Sequence, residues 1–457
     1  MKKTATLSLV LTLICCMSAV SCGGGKINFD NPVEGKDYKI SKKTEAGEVY
    51  SWTYKDFGEG VMPIAGFIGP TSEYPYEGNL LPNRITDESY ATIKDCGLNI
   101  IYGHKEDWRY AQEDIISSLT YAEKYGIKYL FYDTSVIDIS RQGLVASTED
   151  IRTAVSKYSG YKAFGGLLGM DEPCEDKFDK IAEAQTNFRA ATADLDVMLY
   201  ANLFPVMVLG SRYETYLSDF MKTNPVSLSY DMYPFEGKGT EVHTSHFTNL
   251  ELARKVAAEN KKPFWVYIQG GGGWENCNYR IPSEGELLWQ VNTSLCYGAK
   301  GIQYFPYYQP PEYAQIPEEG AGLINMDGKK NQTWYFAQKA NRQIAAIDEV
   351  LMSSVNEGVI VHGGTPAPIT GTAVLQDYRQ LKKVGGDDAL IGCFNYEGAS
   401  AYYVVNNSIT KEKAEITLTF DDSYMYDVTQ RAVRRSTLGK TFTLKLAAGE
   451  GALVVLR

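Results

Sequence analysis

A chain of 457 residues has room for one large domain and one smaller one. Its formal charge of −11 and its 4 histidines argue against nucleic acid as a partner. Tyrosine is abundant, at 33 residues beside 6 tryptophans; such rings stack on the apolar faces of sugars but also fill ordinary cores, so the richness alone assigns nothing.

Residues 1–21 read as a leader. Lys2 and Lys3 open it, 7–17 form an apolar core too short to span a bilayer, and Ala19-Val20-Ser21-Cys22 follows. The stretch resembles a bacterial lipoprotein signal with its lipobox ending at Cys22. That resemblance implies cleavage before Cys22, acylation there, and a mature protein anchored in the cell envelope, most simply at the outer membrane. Gly23, Gly24 and Gly25 would be a flexible tether. The later cysteines, Cys96, Cys174, Cys277, Cys296 and Cys393, form no CxxC pair. Their odd count and wide spacing point to free thiols, a Cys277–Cys296 bridge being the open alternative. The scattered histidines speak against zinc, and neither metal nor other cofactor is expected.

After a polar lead-in at 22–60, with a short strand-like piece at 49–54, a rhythm begins. Strands are expected at 61–69, 98–102, 127–133, 164–171, 197–203, 226–231, 264–269 and 301–306. Helices are expected after each, at 87–96, 112–125, 148–157, 176–193, 213–222, 246–260, 283–297 and 334–351. Alternating strands and helices argue for a parallel sheet, and eight such units match a closed (β/α)8 TIM barrel over 61–354. An open doubly wound sheet is less consistent, because no glycine-rich phosphate loop follows the first strand. From 355 to 457 the helical pattern ends. Short strands at 389–395, 401–406, 414–420, 441–446 and 451–456, separated by turn residues, predict a smaller antiparallel β-sandwich.

The fourth strand, Phe-Gly-Gly-Leu-Leu-Gly-Met-Asp, is followed by Glu172 and Pro173. Two acids at the end of a buried strand are costly unless paired, hydrogen-bonded or functional. In a barrel the active site lies where the strands end. The residues expected on that rim are His104, Glu106, Asp107, Asp133, Asp171, Glu172, Asn202, Asp231, Tyr233, Gln269, Trp274, Glu275, Tyr304, Tyr307 and Tyr308. Carboxylates, amides and aromatics suit a neutral polyhydroxylated ligand.

The lipoprotein signal, the barrel with an acidic pair ending its fourth strand and the C-terminal β-domain together resemble bacterial, Bacteroides-type glycoside hydrolases of the large barrel clan. The most specific piece is Met170-Asp171-Glu172-Pro173, where the clan usually shows Asn-Glu-Pro with Glu as general acid/base. The resemblance therefore implies that role for Glu172 and an oligo- or polysaccharide substrate. Two departures stand out: Asp171 replaces the usual Asn, and Gln269 occupies the end of the seventh strand, where the clan carries its nucleophilic Glu. Glycoside cleavage generally needs a second carboxyl. Asp231 and Glu275 are the candidates. A third route resembles the substrate-assisted N-acetylhexosaminidases with their adjacent Asp-Glu, and a fourth is a glycan-binding protein without hydrolysis. Asp171, Asn202, Tyr233, Gln269, Trp274 and Tyr307 are the expected substrate contacts. Adjacent residues on a regular strand point to opposite sides, so Asp171 and Glu172 can share a site only if the strand end is distorted.

Overall fold

The computed structural model describes residues 37–76, 79–274, 278–310, 321–364 and 374–457. The larger domain is built on eight parallel strands: β1 (Ile64–Phe67), β2 (Ile100–Asp107), β3 (Lys128–Tyr132), β4 (Phe164–Asp171), β5 (Met198–Asn202), β6 (Leu228–Asp231), β7 (Phe264–Gln269) and β8 (Gly301–Phe305). The sheet runs β6–β7–β8–β1–β2–β3–β4–β5. Just past their ends β5 and β6 meet through a parallel bridge between Leu203 and Tyr230, with the Leu203 N–H donating to the Ser229 carbonyl at 2.9 Å. The sheet is thus a nearly closed barrel.

Helices α1 (Asp87–Asp95), α2 (Gln112–Tyr125), α3 (Thr148–Val155), α4 (Phe178–Ala191), α5 (Tyr213–Met221), α6 (His246–Glu259), α7 (Glu284–Cys296) and α8 (Gln332–Ile344) follow the strands in turn. Local chemistry sets their ends. The side chains of Thr86 and Ser147 accept the N–H groups of Ser89 and Asp150, and Ser283 with Glu286 forms a capping box. Gly126, at φ 63°, closes α2 in the left-handed conformation. The expected helix to residue 351 breaks after Ile344 and resumes as a short turn at Asp348–Met352.

The lead-in forms no strand at 49–54, against expectation; a nearly closed barrel leaves it no free edge. It plugs the base of the barrel instead. Tyr54 is fully buried and donates its hydroxyl to the Gly165 carbonyl at 2.7 Å, and Trp52 lies 5.8 Å from the Trp265 ring.

The second domain comprises β9 (Ser354–His362), β10 (Leu381–Gly386), β11 (Ala389–Tyr396), β12 (Ala399–Asn406), β13 (Ala414–Gln430), β14 (Val433–Leu446) and β15 (Gly451–Leu456). They join one mixed sheet, in the path β9–β11–β12–β15–β13–β10 with β14 on β13, and a short parallel piece, Val374–Leu375, flanks β9. β9 and β10 were not anticipated. Each mixes polar residues and glycine, and β9 carries a bulge between Asn356 and Gly358, so neither shows a clean alternation. This sheet packs on α7. Trp289 Nε1 donates to Asn407 Oδ1 at 2.9 Å, and Asn292 gives its amide N–H to the Gly449 carbonyl at 2.8 Å while accepting the Tyr403 hydroxyl at 2.6 Å. No helix among the described residues is long and apolar enough to cross a membrane.

Gly166 holds φ 131° inside β4, and a Cβ there would run into the Met198 backbone of β5. Gly166→Ala is expected to cost at least about 2 kcal/mol, read as a lowered Tm; a Tm within 1 °C of wild type (roughly 1 kcal/mol or less for a chain of this length) would show that the strand can relax.

Candidate active site

The ends of β4, β5 and β6 bring Asp171, Asn202 and Asp231 to one point on the rim, and Glu172, directly after β4, adds a third carboxyl. Two irregularities in β4 make this possible. Leu168 pairs with Tyr200 and Asp171 with Asn202, so β4 spends one more residue than β5 over the same length. Such a bulge inverts the parity of the strand beyond it. Leu168, Met198 and Tyr200 fill the barrel interior, and the bulge turns Asp171 to that same side. Glu172 then takes φ 44°, a left-handed conformation that non-glycine residues adopt at a cost. The strand-end distortion that two adjacent acids need in order to face one site is therefore present. The turn is held from both sides: Glu172 N–H donates to the Asn202 carbonyl at 2.9 Å, and the Tyr216 hydroxyl donates to the Pro173 carbonyl at 2.8 Å.

Asn202 is the hub. Its Nδ2 donates to Asp231 Oδ1 at 2.8 Å and to Asp171 Oδ1 at 3.3 Å. Its Oδ1 accepts from Ser229 Oγ at 3.1 Å, and Ser229 accepts from Gln303 Nε2 at 2.8 Å. Gln303 Oε1 in turn lies 2.8 Å from the Tyr102 hydroxyl and 2.7 Å from that of Tyr200. The orientation of the amide is thus fixed by a buried polar network that crosses the barrel. Among the described residues, none of the three acids makes a salt bridge to Lys or Arg.

Like charges at the end of a recess raise proton affinity. Burial, then the charge of Asp171, lifts Glu172 to about 7. Burial followed by the charges of Glu172 and Asp171 pushes Asp231 well above the ordinary carboxylate range, with Asn202 pulling the other way. Asp171 is raised by burial, opposed by the Asn202 hydrogen bond. All three keep solvent access, Asp171 the most, so they are wetted groups rather than sealed ones. The arrangement can hold one proton among three carboxyls near neutrality, which gives it both an acid and a base.

Tyr233 lies over the acids: burial, then the charges of Asp231, Asp171 and Glu172, raises its hydroxyl. It stacks on Phe305 with ring centroids 5.6 Å apart and meets the edges of Trp274 and Tyr279. Trp274 is nearly buried, its Nε1 donating to the Ala321 carbonyl at 2.9 Å, so it backs Tyr233 rather than presenting a platform.

Other rim residues are placed differently from expectation. Gln269 is fully buried; its Oε1 accepts the Phe235 N–H at 3.0 Å and its Nε2 donates to the carbonyls of Phe235 and Arg280. Its amide ties two rim loops together and has no access to a ligand, which corrects the expected substrate contact. Tyr307 is likewise fully buried, packed with the outer-layer residues. The side chain of Asn202, expected to touch substrate, is committed to the acids. Glu106 turns inward and accepts the N–H groups of His104 and Lys105, and Asp133 accepts the Tyr158 hydroxyl at 3.0 Å. Glu275, a candidate second carboxylate, lies outside the described residues, as do Cys22 and Cys277. No group of His, Cys, Asp and Glu among the described residues is arranged to hold a metal ion. Tyr132, missed in the sequence, ends β3 close enough to Asp171 to feel its charge; its position just before Asp133 at a strand end was the available signal.

No family model matches the sequence, and no curated protein does. Solved structures share the fold. A glycoside hydrolase superposes with a TM-score of 0.53 at 11% identity, over 91% of this chain and 97% of that one. An Anoxybacillus α-amylase gives 0.49 at 12% identity over 89% and 98%. A β-galactosidase from the psychrophilic Marinomonas ef1 gives 0.48 at 12% identity, over 65% of this chain and 62% of the galactosidase. The first of these establishes that the architecture occurs in a glycoside hydrolase, and nothing finer.

Replacing one acid should relieve the cluster. A carboxyl with raised folded affinity contributes nothing to stability at low pH, where it is protonated in both states. It destabilises increasingly from about 4.5 to about 7 and fully above. Glu172→Gln is therefore expected to raise Tm at pH 8 and leave it nearly unchanged at pH 4; an equal or larger gain at pH 4 would contradict repulsion among the acids.

Proposed function

We propose that this protein is a glycoside hydrolase in which Glu172 is the general acid/base and Asp231 the second carboxylate. The reading rests on one observation: Asp171 and Asp231 converge on the Asn202 amide at the C-terminal rim of the barrel, and Glu172 stands close enough to exchange charge effects with both, so that burial and mutual charge raise their proton affinities. Glu172, on its own flexed turn, is the acid that protonates the departing glycosidic oxygen. With the shared proton on Glu172, Asp231, whose ionised form the Asn202 hydrogen bond favours, is the group that attacks the anomeric carbon or activates water. Asp171 keeps Glu172 protonated near neutrality and is placed to hydrogen-bond a substrate hydroxyl or amide. Tyr233 offers its ring and hydroxyl to the same sugar. Gln269 needs no catalytic part, because the second carboxylate comes from β6 and not β7. The like-sign pair also suits a substrate whose own acetamido group attacks, with Asp171 orienting it; Asp231 would then be dispensable. The second domain, whose strand β13 pairs with different neighbours along its length, is read as a sandwich-like brace for α7. Cys22 is read as the lipid attachment point that keeps the protein in the cell envelope.

Glu172→Gln is expected to lower kcat on a cleaved glycan by about 10²–10⁴, while Asp231→Asn does the same only if Asp231 is the second carboxylate. Glycan turnover unchanged by Glu172→Gln would remove that residue from the chemistry. The wild-type rate should fall as pH rises through about 7, where the acid form is lost. Asp171→Asn should move that fall to lower pH, because it removes a charge that disfavours ionisation of Glu172; an unmoved limb would contradict the coupling. In the native host, Cys22→Ser is expected to abolish incorporation of labelled fatty acid, and undiminished labelling would refute the anchor.

A further inference from the structure

A cleft of about 440 Å³ with a mixed polar and apolar lining opens beside Asp171, between the loops that follow β2 and β3. That volume lies within the range of small-molecule sites, and neither Glu172 nor Asp231 lines it. Its lining includes Tyr110, Tyr132, Thr134, Ser140, Arg141 and Asp171. Tyr110 is 74% exposed at its mouth, so its ring is open to a ligand. The Arg109 guanidinium lies over Tyr110, 4.9 Å from the ring centroid, which steadies the side chain.

Both walls are braced by acids whose oxygens are already engaged. Asp107 Oδ1 accepts the N–H groups of Arg109 at 3.1 Å and Thr134 at 3.2 Å, its Oδ2 accepts the Thr134 hydroxyl, and its carbonyl accepts the Tyr110 N–H at 2.9 Å. Asp138 accepts the Arg141 N–H at 3.1 Å and the Gln142 amide at 2.8 Å. The small hairpin of Ile137–Asp138 and Leu144–Val145 carries Ser140 and Arg141 to the rim. A ligand therefore meets prearranged walls and loses little to loop ordering. The charges facing the cleft are Lys105 and Arg141 against Asp107, Asp138 and Asp171. That balance disfavours an anionic ligand and suits a neutral polyhydroxylated one with a face to stack.

We propose that this cleft is a second sugar subsite, with Tyr110 as its stacking platform and Arg141 as a hydroxyl-binding group, so that the substrate is a neutral oligosaccharide lying across Asp171. This rests on the carbohydrate reading above but not on hydrolysis. Neither Tyr110 nor Arg141 touches the three acids.

The test compares Tyr110→Ala, Tyr110→Phe and Arg141→Ala with wild type on two probe sets: glycosyl fluorides, whose leaving group is one atom, and neutral oligosaccharides of two to four units. Tyr110→Ala and Arg141→Ala are expected to lower kcat/KM on the cleaved oligosaccharide at least about tenfold and to leave the matching fluoride within about twofold. Tyr110→Phe should behave as wild type. Equal effects on both probes, or none on the oligosaccharide, would overturn the subsite. Binding of the same oligosaccharides by calorimetry separates the two readings. Binding without turnover that weakens tenfold in Tyr110→Ala keeps the subsite and sinks hydrolysis. Turnover with binding indifferent to Tyr110 and Arg141 does the reverse, and neither binding nor turnover across the panel sinks both.

Discussion

The Asn202 amide is the contact on which the site depends. One Nδ2 serves two carboxylates, Asp171 and Asp231, where three acids meet and no cation among the described residues pairs with them. Carboxylates so placed must be hydrogen-bonded or protonated. Two neutral hydrogen bonds do not offset three negative charges, so the cluster retains a proton into the neutral range. The amide cannot swing away, because Ser229 and Gln303 fix its other end to the tyrosines of the barrel interior. A rigid neutral donor thus holds two acids in place without discharging them, and the third, Glu172, stands on a left-handed turn beside them.

The barrel gives this arrangement its precision. Neighbouring parallel strands end side by side, so one residue from each of β4, β5 and β6 reaches the same point. The bulge in β4 is the local price, since it sacrifices regular pairing between Leu168 and Met170 to turn Asp171 inward. Gln269 shows the complementary use of a strand end. Its amide closes the Phe235 and Arg280 loops over the rim, so the wall bearing Tyr233 stays in position. The second domain acts from further away by clasping α7, the helix after β7, through Trp289 and Asn292.

Much of this was legible in the sequence because barrel strands and helices alternate with clear apolar runs. The strand Phe264–Gln269 and the helix Gln112–Tyr125 have the bounds their patterns predict. Asp231 could be named because it ends an apolar strand two places round from Glu172. The orientation of side chains was less legible. Gln269 and Tyr307 end strands or follow them, yet loops cover the first and the outer layer buries the second, through contacts between segments far apart in the chain. The role of Asn202 was hidden for the same reason: an amide at a strand end looks the same whether it faces a ligand or two acids. In the second domain, β9 and β10 escaped notice because polar and glycine residues blur a period of two where bulges interrupt the ladder. The lead-in at 49–54 erred the other way: its β-prone residues are spent on plugging the barrel.

Shared protonation among Asp171, Glu172 and Asp231 is the central claim, and it can be measured without knowing the substrate. A ¹³C-carboxyl NMR titration of the protein, assigned with Asp171→Asn, Glu172→Gln and Asp231→Asn, reads it directly. Sharing predicts that Glu172 retains a proton to about pH 7, that its midpoint falls in Asp171→Asn, and that the Asp231 midpoint falls in Glu172→Gln. A Glu172 resonance titrating in the ordinary carboxylate range, unmoved by Asp171→Asn, would contradict it.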